Sequence, residues 1–173
     1  MGAGVLPVAL FRGTIYILLG QERYNDSWSD FGGSREKNET PFYTAIREGT
    51  EELNGFFGSE EDLEEELNYK SVLTLKYDCY TSYVFSTKYN RELPKYFNNN
   101  NKFIEKQDSD KIRIIRDKKN GLYEKSRIEW FDLKEFENED KLQMIRPHYR
   151  EIIKSLTRQK NLKKNIKLSE RPL

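Results

Sequence analysis

Apolar residues recur along this chain in two different periods. Val5–Phe11 and Ile15–Leu19 are apolar, β-branched runs on either side of Arg12-Gly13-Thr14, which predicts a β-hairpin. Gln21–Ser29 is polar and rich in turn formers, with Trp28 embedded, and reads as a loop. The period then changes. Phe42, Ala45, Ile46, Gly49 and Leu53 fall at i, i+3, i+4, i+7 and i+11, one face of an amphipathic helix. Thr40 is a sound N-cap, Pro41 a sound first residue, and Asn54-Gly55 a stop.

Gly58–Asn68 reads as a short acidic helix or a loop, its Glu60–Glu66 run a solvated face. Strands are predicted at Ser71–Leu75, Thr81–Ser86, Lys111–Arg116 and Ile128–Leu133, with a turn at Asp117–Gly121. The Asn98–Asn101 tract is expected to be a surface loop, because asparagine competes with regular backbone hydrogen bonding. Ile145, Tyr149, Ile152, Ile153 and Leu156 have helical spacing within Leu142–Leu156 and predict a late helix packed on the sheet. From Arg158 onward the chain is Lys/Asn-rich and reads as a solvated tail. Strands flanking a central helix, with a second helix late, predict an α/β or α+β sandwich: a mixed β-sheet between helices. The expected organisation is one domain over residues 1–157 with a basic C-terminal tail over 158–173.

Composition narrows the chemistry. The 173 residues suit one domain, and although 34% are charged and mean hydropathy is −0.90, the 13% aromatic content supplies core area that disordered chains lack. Thirty basic against 29 acidic side chains leave a net charge of +1, which demands neither a nucleic-acid nor a membrane partner. One cysteine, Cys79, excludes an internal disulfide and a multi-Cys zinc site; one histidine, His148, excludes a His-rich metal site. Cys79 reads as packed and His148 as structural. Stretches such as Ile15–Leu19 are too short to span a bilayer, and Met1-Gly-Ala-Gly-Val lacks the basic start of a signal peptide, so the expected compartment is cytoplasmic. Residues 141–173 hold ten Lys/Arg against two Glu, a basic region that serves solubility or meets phosphate or RNA.

The central helix carries the candidate chemistry. Glu48, Glu51 and Glu52 stand at i, i+3 and i+4 and project from one side, beside the apolar stripe. Three crowded carboxylates repel one another unless a cation relieves them or one protonates. Hard oxygen ligands suit Mg²⁺ or Mn²⁺. Arg47, four residues before Glu51, can pair with it. Upstream, Gly32-Gly33 lets backbone approach a bound ion closely.

Gly33, five residues, Glu39, seven residues, Arg47-Glu48, two residues, Glu51-Glu52 resembles the Nudix box, and Trp28-Ser-Asp-Phe31-Gly-Gly33 is similar to the approach to that box. With this composition the six fixed residues would coincide by chance in roughly one chain in 10⁴. Three positions depart from the pattern: Gly49 and Gly55 replace aliphatic residues, and Asn54 replaces the glycine. Gly49 is expected to leave a packing gap. The resemblance implies a Nudix fold and hydrolysis of a nucleoside diphosphate linked to another moiety: a nucleotide, dinucleoside polyphosphate, nucleotide sugar or ADP-ribose. It implies that Glu48, Glu51, Glu52 and the Gly33 carbonyl hold Mg²⁺ or Mn²⁺, that Arg47 orients the cluster, and that Glu51 or Glu52 is the base. Many members add a later acidic residue, here Glu124, with Glu129 the alternative. Trp28 and Phe31 either stack on a base or pack on the core, and Arg23 in the same loop is a candidate substrate contact. Alternatives are an mRNA-decapping enzyme, with capped RNA as partner, and a non-catalytic nucleotide- or RNA-binding module; an oligomer is compatible with either.

Overall fold

The computed structural model describes residues 1–106 and 121–170. The predicted hairpin forms: β1 (Gly2–Phe11) and β2 (Thr14–Glu22) are antiparallel, with Arg12 and Gly13 both at positive φ in the turn. The polar segment after it is shorter than a loop from Gln21 would be, because β2 runs on to Glu22 and Trp28–Ser29 returns as β3. β4 (Phe31–Ser34) pairs antiparallel with the first half of β1. Helix α1 (Pro41–Glu52) and helix α2 (Glu60–Tyr69) follow. The acidic segment is thus a helix, begun by a Ser59/Asp62 capping box that satisfies its first amides. Strands β5 (Ser71–Tyr77) and β6 (Tyr80–Ser86) form a second hairpin, and β6 pairs parallel with β1. Then come α3 (Leu93–Lys106), β7 (Lys125–Asp132) against β2, α4 (Glu139–Leu142), α5 (Arg150–Thr157) and α6 (Leu162–Ser169).

The seven strands make one mixed sheet, ordered β3-β2-β1-β6-β5, with β4 also on β1 and β7 also on β2. β1 lies at its centre and is buried on both faces, so it reads as a continuous apolar run rather than an alternation. Ala3 and Val5 face one core with Ala45 and Ile46 of α1, Leu63 of α2 and Phe97 of α3. Leu6 and Val8 face the other with Tyr149, Ile152, Ile153 and Leu156. The sheet is therefore sandwiched between helices, as the pattern predicts.

Four expectations are corrected. Asn98–Asn101 is not a surface loop but the middle of α3. Asn98 and Asn101 are one helical turn apart, and both bond the backbone of β7, so their amides are satisfied inside the fold. The late helix is interrupted, because Pro147 cannot supply a helical N–H; Ile145 instead bridges Trp28, and helix resumes at Arg150. The chain after Arg158 is not wholly solvated: α6 buries Leu162 and Ile166 against the second core. Gly49 leaves no gap, since a Cβ there would stand 2.6 Å from Val5 Cγ2 and 3.0 Å from Leu63 Cδ2. The absent side chain is what lets α1 lie close on β1. The predicted strand at Lys111–Arg116 and the turn at 117–120 lie outside the described residues. No helix among the described residues is long and apolar enough to cross a membrane.

Candidate active site

Helix α1 begins where the sequence indicates. Thr40 Oγ1 accepts the Tyr43 N–H at 3.3 Å, and Pro41 occupies the first turn. The helix ends at Leu53, where Asn54 and Gly55 both take positive φ. Asn54 therefore replaces the box glycine conformationally. Its side chain also does what glycine could not: Oδ1 accepts the Tyr123 N–H at 3.0 Å, and Nδ2 donates to Asn101 at 3.2 Å. Asn101 in turn donates to the Lys125 carbonyl at 2.9 Å. The end of α1 is thereby tied to the chain that enters β7.

Arg47 is the hub of the exposed half of the site. Nε donates to Glu39 Oε1 at 2.8 Å, and one terminal nitrogen to Glu39 Oε2 at 3.2 Å and the Ser34 carbonyl at 3.1 Å. The other terminal nitrogen reaches Glu48 at 2.9 Å and Glu51 at 3.4 Å. Hydrogen bonding to Arg47 pushes the Glu39 carboxyl down to about 2 and raises Arg47 above its usual range. Glu39 Oε2 further accepts from Thr44 Oγ1 and the Glu36 N–H. The box glutamate before the helix thus fastens its first turn.

Glu48 lies directly against Gly33, where any Cβ would fall on the carboxylate. Glu48, Glu51 and Glu124 line one cleft of about 290 Å³, with Ser34, Arg35, Glu36, Arg47 and Gly121. Four carboxylates there face two guanidinium groups. Glu124 has joined the cluster although it lies more than 70 residues beyond α1. Glu129 is instead exposed on β7, opposite Leu19.

Glu52 is 2% exposed and belongs to a buried layer beneath the cleft. Its Oε2 accepts the Gly32 N–H at 2.7 Å and lies 3.3 Å from Lys125 Nζ. Lys125 is 0% exposed and also contacts Glu22 at 2.6 Å and Ser29 Oγ at 2.9 Å. Beside it, buried Asp30 accepts from Tyr80 OH at 2.9 Å and Ser82 Oγ at 2.8 Å. Nothing in the sequence marks Lys125 as internal. Only the pairing of β7 with β2 carries it over side-chain-free Gly20 to Glu22.

Burial is the largest effect on each of the three α1 glutamates, and it pushes each carboxyl up. Neighbouring carboxylates, Glu124 among them, push the same way. Arg47 and Lys125 oppose them without cancelling the rise. As they stand, no three acidic, histidine or cysteine side chains among the described residues converge on one point at metal-binding separations. Arg47 and Lys125 hold the carboxylates instead. The donor set fits a hard dication nonetheless: it is all oxygen, and Glu48 and Glu51 are partly desolvated.

The other candidate residues fall elsewhere. Trp28 and Phe31 are 2% and 0% exposed. Trp28 packs edge-on against Phe131 beneath the Arg127 guanidinium, so both aromatics are core residues with no face left for a base. Arg23 pairs with Glu105, donates to the Tyr123 carbonyl at 2.9 Å, and its backbone N–H bonds the Glu124 carbonyl. It holds the approach to β7. Cys79 is exposed rather than packed, at the β5–β6 turn. His148, read as structural, lies edge-on to Tyr80 and lines a second cleft of about 270 Å³ with Arg146, Cys79, Gly32, Gly33 and Ser34. The two clefts share Ser34, so a rim one strand wide separates them.

No protein-family model and no curated protein matches the sequence. Solved structures do match. One is an Ap4A hydrolase binary complex from C. elegans, 18% identical over 91% of this chain and 96% of that one, with a TM-score of 0.52. Another is a bifunctional NMN adenylyltransferase/ADP ribose pyrophosphatase from Francisella tularensis, complexed with AMP and a manganese ion. It is 18% identical over 90% of this chain and 40% of that one, at a TM-score of 0.51. Sheet order, flanking helices and the strand–loop–helix of Gly33–Gly55 agree with these likenesses, and the chain has the Nudix fold.

Proposed function

We propose that the chain is a divalent-cation-dependent pyrophosphohydrolase that cleaves the phosphoanhydride of a nucleoside diphosphate linked to another moiety. The observation that carries this reading is the convergence of Glu124 with Glu48 and Glu51 in one cleft, where Arg47 orients the two helix carboxylates. A helix whose acidic face is merely solvated has no reason to recruit a further carboxylate from the distant segment that leads into β7. The fold shared with an Ap4A hydrolase and an ADP ribose pyrophosphatase supports the same substrate class.

In this reading Glu48, Glu52, Glu124 and the Gly33 carbonyl hold Mg²⁺ or Mn²⁺. The bound ion would neutralise phosphate oxygens and lower the pKa of water. Glu51 lines the cleft, whereas Glu52 is fastened below it, so Glu51 is the better placed of the two to accept the proton of the attacking water. Arg47 keeps Glu48 and Glu51 oriented. The organic moiety crosses the Gly33–Ser34 rim into the second cleft, where Tyr80 and His148 offer ring surface and Arg146 a positive charge.

The test is hydrolysis of ADP-ribose, dinucleoside polyphosphates, nucleotide sugars and capped RNA with Mg²⁺ or Mn²⁺. Glu48→Gln and Glu52→Gln are each expected to lower kcat by about 100-fold or more, Glu48→Gln while leaving the circular dichroism and melting temperature of the metal-free protein near the wild type. Activity that survives both changes removes the site assignment. Capped RNA belongs in the panel because α6 lines a cleft with Lys163, Lys164 and Lys167, a cationic surface suited to phosphates. Tight binding of a nucleotide without turnover would instead support a binding module.

A further inference from the structure

Lys125 lies outside the Nudix box, and nothing in the proposed reaction requires a buried cation. Its ammonium is nevertheless 0% exposed, between carboxylates from two different elements: Glu22 of β2 at 2.6 Å and Glu52 of α1 at 3.3 Å. Burying an ammonium is costly unless charge and hydrogen bonds compensate it, so a lysine placed here needs a reason. The fold makes specific provision for it. A register shift in the β2–β7 pairing falls between Gln21 and Glu22, leaving Ser126 as the extra residue and Lys125 opposite Glu22. Gly20 leaves room for the stem, since a Cβ there would stand 2.7 Å from Lys125 Cγ. Asn101 holds the Lys125 carbonyl from α3.

Both contacts to the Glu52 carboxylate, from Gly32 N–H and from Lys125, fall on Oε2. A carboxylate fixed through one oxygen presents the other in a single orientation, and such outer partners govern how well a ligand binds its ion. We propose that Lys125 is a positioning residue of the cation site: it fastens Oε2 of Glu52 and leaves Oε1 as the oxygen offered to the metal. This rests on the reading above that Glu52 is a ligand. Glu22 serves to hold the ammonium, with Ser29 Oγ and Arg146 completing the network around it.

The experiment is a titration of chelator-treated full-length protein with Mn²⁺ alone, followed by the electron paramagnetic resonance signal of free Mn²⁺ and by calorimetry. Lys125→Met is expected to weaken Mn²⁺ binding by about 10- to 100-fold. It should also lower kcat with little change in the KM for nucleotide, a split that general loosening would not give. Glu129→Gln, exposed on β7 and in contact with neither Lys125 nor Glu52, is the control, and its Mn²⁺ affinity is expected to stay within about threefold of the wild type. Should Lys125→Met fail to fold, the double variant Glu22→Leu/Lys125→Met replaces the buried pair by apolar groups, and the same weakening is expected. A folded Lys125 variant that binds Mn²⁺ as tightly as the wild type overturns the proposal. Glu48→Gln separates the two levels. If it weakens Mn²⁺ binding while the Lys125 variants do not, only the positioning role falls. If the wild type binds no Mn²⁺, the metal-site reading falls and this proposal with it.

Discussion

Asp30 shows what one buried carboxyl does to the energetics of this fold. It is 2% exposed, and burial pushes its pKa up to about 6 from an ordinary 3.8, against the hydrogen bonds from Ser82 and Tyr80 and the charge of Lys125. The folded protein therefore binds this proton more tightly than the unfolded chain does. Its contribution to stability is complete below about pH 4 and is lost as the pH rises through 6, by about 3 kcal/mol at most. Asp30→Asn keeps the shape and cannot ionise, but it has one acceptor oxygen where Asp30 takes Tyr80 OH on Oδ1 and Ser82 Oγ on Oδ2, so one hydroxyl must turn to accept from the amide, a cost that does not change with pH. Urea midpoints for both proteins at pH 4.5 and 7.5 test this. The stability difference is expected to move in favour of the asparagine variant by about 2 kcal/mol at the higher pH. Equal pH slopes for the two proteins would show that Asp30 is not the proton's site.

At the scale of elements, α3 carries the clearest structural consequence. Its asparagines look like loop formers, yet Asn98 and Asn101 stand one turn apart and satisfy the edge of β7 from the helix side. Asn101 also accepts from Asn54, so one amide links the end of α1, α3 and the start of β7, the three places that carry Glu52, Asn101 and Glu124–Lys125. Asn101→Ala would strand the carbonyls of Lys125 and Ser126, at a cost of about 1–3 kcal/mol, whereas exposed Asn99→Ala should change stability by less than about 0.5 kcal/mol. Denaturant midpoints compare the two directly. The hairpin, α1 with both its ends, and the carboxylate stripe were legible in the sequence because each follows from local periodicity, capping or left-handed turn residues. The roles of Asn101, Lys125, Glu22 and Asp30 were not. They depend on which strands pair and on partners up to 103 residues away, and a polar residue bound for the interior looks the same in sequence as one bound for solvent. For Trp28 and Phe31 the sequence left base stacking and core packing open, and their burial selects the core.

For the whole molecule, the sheet joins charges that the chain keeps apart. β4 and α1 supply Gly33, Glu48, Glu51 and Glu52, and the approach to β7 adds Glu124 and Lys125. The protein thus folds with Glu48, Glu51 and Glu52 all pushed up, so the native state carries electrostatic cost that a dication would relieve. An ion that binds the native state and not the unfolded chain adds stability by mass action, about 2.7 kcal/mol at a concentration 100 times its dissociation constant. For a chain of this size that raises the melting temperature by about 5–10 °C. The increase is expected with Mn²⁺ and Mg²⁺ and should grow as the pH rises, because the raised carboxyls must lose protons before they can bind. Glu48→Gln should abolish most of it. Glu129→Gln, on the far side of β7 and outside the cleft, should leave it intact. Scanning calorimetry over a series of Mn²⁺ concentrations measures all three proteins in one experiment. A flat melting temperature in the wild type would mean that Arg47 and Lys125 already neutralise the cleft, and that these carboxylates hold the fold together rather than a metal.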